Sequence, residues 1–275
     1  PGRLADRFPD STRIMKRVII LGSNGMLGHM VHRYLLKHGL DVIAFDDRWS
    51  SSNHHELSKK LEKLEPDACI NAIGVRERSP GGTDHLMWTN GALPGLISQA
   101  LPADTLFIHA SSDAVFASDR NECAWDLPHD PDTEYGHSKS LGELGLKRAN
   151  DRIIRSSIIG PEVSTQKSLM SWYLHQRQPV KGFTNQIWNG ITTLEWARLG
   201  LNIINGKIID CESVLQPGIL PPVSKHALLK LISRILNHPT DVLPQASDFP
   251  VQRSLIPNVD GPSLEEQLMQ LASFD

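Results

Sequence analysis

The stretch VIILGSNGMLG, residues 18–28, decides the fold. Four apolar residues run into Gly22, and two further glycines follow at intervals of three, which describes a buried strand turning tightly into a helix. In such a turn one glycine makes the bend, one lets backbone N–H groups approach a pyrophosphate, and one lets helix and strand pack closely. The helix N-terminus adds partial positive charge. Gly22, Ser23, Asn24, Gly25, Met26, Leu27 and Gly28 are therefore expected to cradle a dinucleotide.

Outward from this loop, apolar runs bounded by turn residues recur at 16–21, 41–45, 67–72, 105–110 and 152–156. They read as strands buried on both faces. Helical patterns lie between them, the clearest from Met26 to His38, Leu86 to Ala100 and Tyr135 to Ala149. Alternation of this kind implies an α/β fold, a doubly wound parallel (Rossmann) sheet, over residues 15–161. After Gly160-Pro161 the texture changes to tryptophans and scattered prolines. Residues 162–275 are read mainly as a smaller C-terminal substrate cap, with helices near Thr193 to Ile204 and Ser224 to Leu236. A last helix, Ser263 to Ser273, is placed either in the cap or back on the main domain. Residues 1–14 are polar and read as a leader or linker, with Met15 a natural start.

The chain has 275 residues, 40% hydrophobic and 21% charged, with a formal net charge of −3. That is ample for a core and too neutral for a general nucleic-acid or anionic-membrane binder. Cys69, Cys123 and Cys211 are odd in number and share no CxxC spacing, so neither a disulfide framework nor a metal site is expected. With no long apolar run and no secretory signal pattern, a cytoplasmic protein acting on small molecules, with a homodimer possible, is the expectation. Adjacent His54 and His55 point apart in regular structure, and His109 ends a strand, where packing explains it.

Tyr135 and Lys139 lie four residues apart in EYGHSK, hence on one helical face. A fixed ammonium there would favour phenolate and draw the tyrosine pKa toward working pH, making it a usable general acid or base. Upstream, Ser111 and Ser112 end the fourth strand. Asp46 closes the second strand, where a carboxylate suits the ribose hydroxyls of NAD; Asp47 and Arg48 follow, and Arg48 could meet the 2′-phosphate of NADP. NAD and NADP both remain open.

These ordered motifs resemble the extended short-chain dehydrogenase/reductases, and within them the dTDP-4-dehydrorhamnose reductase (RmlD-like) branch. GSNGMLG resembles the cofactor loop, INAIG the strand-end segment, WTNGALPGL the next helix with its asparagine, ASSDAVF the Ser-Thr-Asp-Tyr-Val-Phe segment, YGHSKSLGE the Tyr-Gly-x-Thr-Lys segment and IIRSS the Arg-Thr-Ser segment. The resemblance implies Ser112, Tyr135 and Lys139 as catalytic residues, with Tyr135 the proton donor. It implies cofactor contacts also from Asn71, Ala72, Ile73, Gly74, Asn90, Ser111, Ser157 and Ile158, and substrate contacts from Val75, Ser112, Asp113, Trp188 and Asn189.

Departures narrow the chemistry. Family dehydratases carry a glutamate after the Asp that follows the catalytic residue; here Ala114 stands there and cannot remove a proton. The rhamnose reductases have an aromatic residue at that position and a tryptophan where this chain has Ile158, so the sugar contacts differ. The expected activity is NAD(P)H-dependent reduction of a nucleotide-linked 4-keto-deoxysugar. A nucleotide-sugar epimerase, and a non-catalytic regulatory subunit that keeps the cofactor fold, stay as alternatives.

Overall fold

Val18, Ile19, Ile20 and Leu21 are wholly buried in the first strand, β1 (Arg17–Leu21), because both faces of the sheet around it are covered by helices. A computed structural model of the chain describes residues 17–76, 81–163, 166–208 and 213–274. The expected leader 1–14, Met15 and Cys211 lie outside them. β1 is followed by α1 (Met26–Lys37), β2 (Asp41–Phe45), α2 (His54–Glu62) and β3 (Ala68–Asn71). Next come α3 (Leu93–Ala100), β4 (Leu106–Ser111), α4 (Glu134–Leu144), β5 (Asp151–Arg155), α5 (Thr193–Ile204) and a short β6 (Val214–Leu215).

These six strands form one sheet in the order β6-β5-β4-β3-β1-β2, and every neighbouring pair is parallel. The expected doubly wound parallel sheet is what the chain forms. Strand order reverses between β1 and β3, so the loops leaving these two strands open the crevice in which such folds take ligands. Gly22 and Ile73, which follow β1 and β3, are in contact there.

Three sequence expectations change. The helix expected from Leu86 to Ala100 starts earlier, at Gly82, and keeps helical backbone throughout, but its middle, Met87–Ala92, is π-helical and leads into α3 with Pro94 in its first turn. Proline lacks the N–H that the regular α-helical ladder needs, and the π-helical stretch lies just before it. The helix expected to reach Ala149 stops at Leu144, with Gly145 as its C-cap. The largest change concerns α5, placed in the cap from sequence. It packs along α1, and its Leu194, Trp196, Ala197 and Leu201 share a core with Val18, Ile20 and Ile70 of the sheet. With β6 pairing to β5, α5 and β6 both belong to the sheet layer.

A second core gathers Ile159, Met170, Tyr173, Trp188, Leu228, Ile232 and Leu268. It joins the short helix Leu169–Leu174 to α6 (Lys225–Ile235) and α7 (Leu264–Ala272). A capping box between Ser263 and Glu266 starts α7. Gln267 of α7 accepts from Thr192 N through its side-chain oxygen at 2.9 Å, so this last helix sits against the start of α5. No helix among the described residues is long and apolar enough to cross a membrane.

A buried ion pair ties these layers together. Glu143 on α4 receives Arg155 of β5 through Nη2 at 2.6 Å and Nε at 3.0 Å, and accepts Ser111 Oγ at 2.5 Å. Arg155 also donates to Trp125 O and to Gln216 Oε1, and its Nη2 meets His129 Nε2 at 3.0 Å. Burial opposes the charge on Glu143. Hydrogen bonds from His129 and Arg155, the Arg155 charge and the Ser111 hydroxyl outweigh it and hold this carboxyl down to about 2.

Arg155→Met leaves a buried carboxylate unpaired and should lower unfolding free energy by about 3–5 kcal/mol in a urea titration. In the parent, the folded value lies below the unfolded one of about 4.3. The contribution of Glu143 is thus complete above about pH 4.3 and lost as pH falls through about 2. Arg155→Met should show a shallower loss of stability across that acid range.

Candidate active site

Two of the three loop glycines are demanded by the protein itself. Gly22 has φ +78°, and a Cβ at Gly28 would stand 2.1 Å from Gly22 O. Gly25 is demanded by neither constraint. Its φ of −78° suits any residue, and a Cβ there would meet only Gly22 O at 3.4 Å. Gly25 is also the N-cap of α1, and no side chain satisfies the first N–H groups of that helix. Open space above bare N–H groups at a positive helix end is the room a phosphate needs, so these residues fit a dinucleotide. The Leu27 side chain points into the core, leaving its backbone for the loop, and Asn24 is exposed.

Ser23 Oγ donates to Asp46 Oδ1 at 2.5 Å, which fixes the carboxylate beside the glycine loop. Asp47 is turned away to pair with Lys60 of α2 at 2.5 Å. Arg48 is exposed, and its carbonyl accepts from Asn53 Nδ2 at 2.8 Å.

On the far side of β1, Asn71 Oδ1 accepts from Ile73 N at 3.1 Å, and Gly74 approaches Asn90. Asn90 sits wholly buried on the π-helical stretch. Its amide accepts from Val75 N at 3.0 Å and donates to Val75 O at 2.9 Å and Ser138 Oγ at 3.0 Å. It therefore braces the 72–75 loop against α4. The extra residue per turn of a π-helix lets one side chain reach both elements.

Ser112, at the end of β4, caps a 3₁₀ turn Asp113–Val115 by accepting from Ala114 N at 3.2 Å, and donates to Asp113 Oδ1 at 3.0 Å. Thr133 caps α4 by accepting from Gly136 N, which sets the start of the helix and so the place of Tyr135 in its first turn. Tyr135 and Ser112 share a side-chain hydrogen bond. The structure thus unites the two hydroxyls that the sequence separates by 23 residues.

The electrostatics differ from expectation. Burial pushes the Tyr135 phenol above its ordinary value, against the hydrogen bond it shares with Ser112, and Lys139 is not among the groups that move it. Lys139 Nζ instead donates to Ala110 O at 2.6 Å and lies 3.4 Å from His109 Nε2. Burial draws Lys139 down to about 8, against the opposite pull of Glu143. The phenol consequently holds its proton.

Several other residues expected to touch cofactor or substrate have polar partners within the protein. Ser111 Oγ is committed to Glu143 and so is engaged away from a cofactor. Trp188 Nε1 donates to Ser157 Oγ at 2.9 Å, while Ser157 O accepts from Ile191 N. Asn189 grips the backbone of Leu255 at both its N–H and C=O. Trp188, Asn189 and Ser157 spend their polar atoms inside the fold, and Ile158 packs against the main core. Two cations near Asp113 were missed by sequence reasoning. Arg253 Nε lies 3.4 Å from Asp113 Oδ2 and its Nη1 donates to Phe116 O at 2.9 Å. Lys225, at the start of α6, donates to Gln186 Oε1 at 2.7 Å. Burial lowers the Lys225 pKa, while Asp113 raises it and Arg253 lowers it, so both cations face Asp113. Cys69 and Cys123 are free and buried, and burial pushes both thiols up. No cluster of metal-ligating side chains occurs among the described residues.

Sheet order, glycine loop and the Ser112-Tyr135-Lys139 grouping define an extended short-chain dehydrogenase/reductase. Comparison with known proteins makes this specific: residues 15–213 match the model of the RmlD substrate binding domain, and the chain belongs to that family. It is 25% identical over 201 residues to the spore coat polysaccharide biosynthesis protein SpsK of Bacillus subtilis, covering 70% of each chain. Among solved structures it is similar to a dTDP-4-dehydrorhamnose reductase of Bacillus anthracis in complex with NADP, with 22% identity, TM-score 0.79 and coverage of 93% of this chain and 98% of that one. The corresponding reductase of Clostridium acetobutylicum gives 19% identity, TM-score 0.77 and coverage of 92% and 97%. At these identities the structural likeness concerns the fold.

The glycines separate by substitution. Gly25→Val should fold with stability near that of the parent yet lose dinucleotide binding by calorimetry. Gly28→Ala forces a backbone collision and should cost about 1–3 kcal/mol in thermal or urea unfolding whatever it does to binding.

Proposed function

We propose that the protein is an NAD(P)H-dependent reductase of a nucleotide-linked 4-keto-deoxysugar. The observation that supports this reading is the hydrogen-bonded Ser112–Tyr135 hydroxyl pair, with the phenol held in its protonated form, in a chain whose glycine loop leaves Gly25 free of strain and close packing. When bound, the nicotinamide dinucleotide supplies hydride. It would be held by the 22–28 loop, by Asp46 and by the 71–74 loop.

The chain's own residues supply the rest. Tyr135 donates its proton to the carbonyl oxygen as charge develops there, and Ser112 stabilises that oxygen by hydrogen bonding. Ala114, buried within the 3₁₀ turn, offers no base for elimination. Lys225 and Arg253 place two cations beside Asp113, with Asp132 also within the field of Arg253. Cations at this edge of the site suit a substrate carrying a diphosphate.

Tyr135→Phe keeps the ring and removes the hydroxyl. Turnover of 4-keto nucleotide sugars, followed by NAD(P)H absorbance, should fall on the order of a hundredfold or more while dinucleotide affinity is kept. Parent-like turnover would refute the mechanism. Interconversion of sugars without net NAD(P)H consumption would point to an epimerase, and an inert parent that still binds dinucleotide to a regulatory subunit.

Cofactor choice is assigned to Asp46. Asp46→Ala removes a negative charge that repels a 2′-phosphate, so the ratio of kcat/KM for NADPH over NADH should rise. An unmoved ratio would assign the ribose to another residue.

A further inference from the structure

His109 lies between two hydrogen-bond donors and can accept from only one. On one side is Asn71, whose amide orientation is set by Ile73: Oδ1 takes the Ile73 N–H at 3.1 Å, leaving the NH₂ to face His109 Nδ1 at 3.1 Å. On the other side is Lys139 Nζ, 3.4 Å from Nε2. His109 and Asn71 are wholly buried and Lys139 nearly so, which removes solvent as an alternative partner.

An imidazole that accepts at Nδ1 carries its proton on Nε2. That proton points at Nζ. An ammonium there would confront it donor to donor, whereas a neutral amine offers it a lone pair and still donates to Ala110 O.

We propose that His109 is a positioning residue: fixed by Asn71 as the Nε2–H tautomer, it donates to Lys139 Nζ and so favours the uncharged amine of this lysine over the ammonium. Charging Lys139 takes up one proton in total. Nε2 hands its proton to Nζ and Nδ1 receives the incoming one. Nδ1–H then faces the Asn71 amide, which must turn and release Ile73 N–H.

The other groups around Lys139 agree. Tyr135 lies one turn before it on α4. Glu143, one turn after, is already taken by Arg155 and Ser111. Burial and the neighbouring Lys139 charge hold His109 well below its ordinary pKa, so the ring moves its proton between nitrogens and stays uncharged. The consequence for catalysis rests on the reductase reading. Asn71 and Ile73 begin the loop assigned to the dinucleotide, so cofactor docking and the charge on Lys139 become coupled.

Long-range ¹H–¹⁵N NMR of the full chain, with histidine and lysine labelled and signals assigned through His109→Gln and Lys139→Met, reads the tautomer directly. Above the Lys139 midpoint, near 8, His109 should be protonated at Nε2. Below it the proton should move to Nδ1 with the same midpoint as the Lys139 signal. In Lys139→Met the Nε2–H form should persist at every pH. Asn71→Asp, which accepts from Nδ1–H, should raise the Lys139 midpoint by a unit or more. An Nδ1–H ring at pH 10 in the parent, or a tautomer that stays constant while Lys139 titrates, would overturn the proposal. These signals need no substrate, so failure of the reductase reading would appear separately, as a parent without turnover.

Discussion

The Glu143–Arg155 pair is the constraint on which the site depends. Two buried charges are tolerable only when nearly every polar atom has a partner, and here Ser111, His129, Gln216 and the Trp125 carbonyl supply them. The partners come from β4, from the loop between β4 and α4, and from the segment after β6. Satisfying them fixes the rotation of α4 about its axis. Because Lys139 and Tyr135 lie one and two turns before Glu143, the same rotation aims them at β4. There the lysine finds Ala110 O and the tyrosine finds Ser112.

The sheet was largely legible because its inner strands are buried on both faces, and a run such as Val18 to Leu21 has no polar alternation to mislead a reader. The glycine loop was legible for the same local reason. Features set by distant partners were not. Asn189 looks like a sugar contact in sequence, yet its amide belongs to Leu255, 66 residues on. Arg253 reaches Asp113 across 140 residues, and no local pattern announces it. Helix α5 reads as a further amphipathic segment after the boundary at Pro161, and only the shared core with α1 returns it to the sheet. Glu143 was within reach of sequence reasoning, since it stands four residues after Lys139 on one helical face.

The charge expected of Lys139 illustrates a subtler limit. Spacing of four places ammonium and phenol on one face, but it does not say where a flexible four-carbon stem turns. Here it turns to a strand carbonyl, and burial makes the charge costly. Sequence placed the residue pair on one helical face and misjudged the electrostatics, because desolvation is a property of the folded surroundings.

The segment around Arg253 is held by borrowed hydrogen bonds rather than by a helix or sheet of its own. Asn189 clasps Leu255, the side chain of Gln216 bridges Cys123 O and Ile256 O, and Cys123 and Leu255 form an isolated parallel bridge. Its backbone is thus fixed by amides whose identity is independent of the side chains it presents to the cleft. Exchanging a side chain on such a rail need not loosen the backbone that carries it. At Arg253, which pairs with the Asp113 carboxylate that also receives Ser112, an exchange would reset the charge next to the hydroxyl pair while the rail itself stays in place.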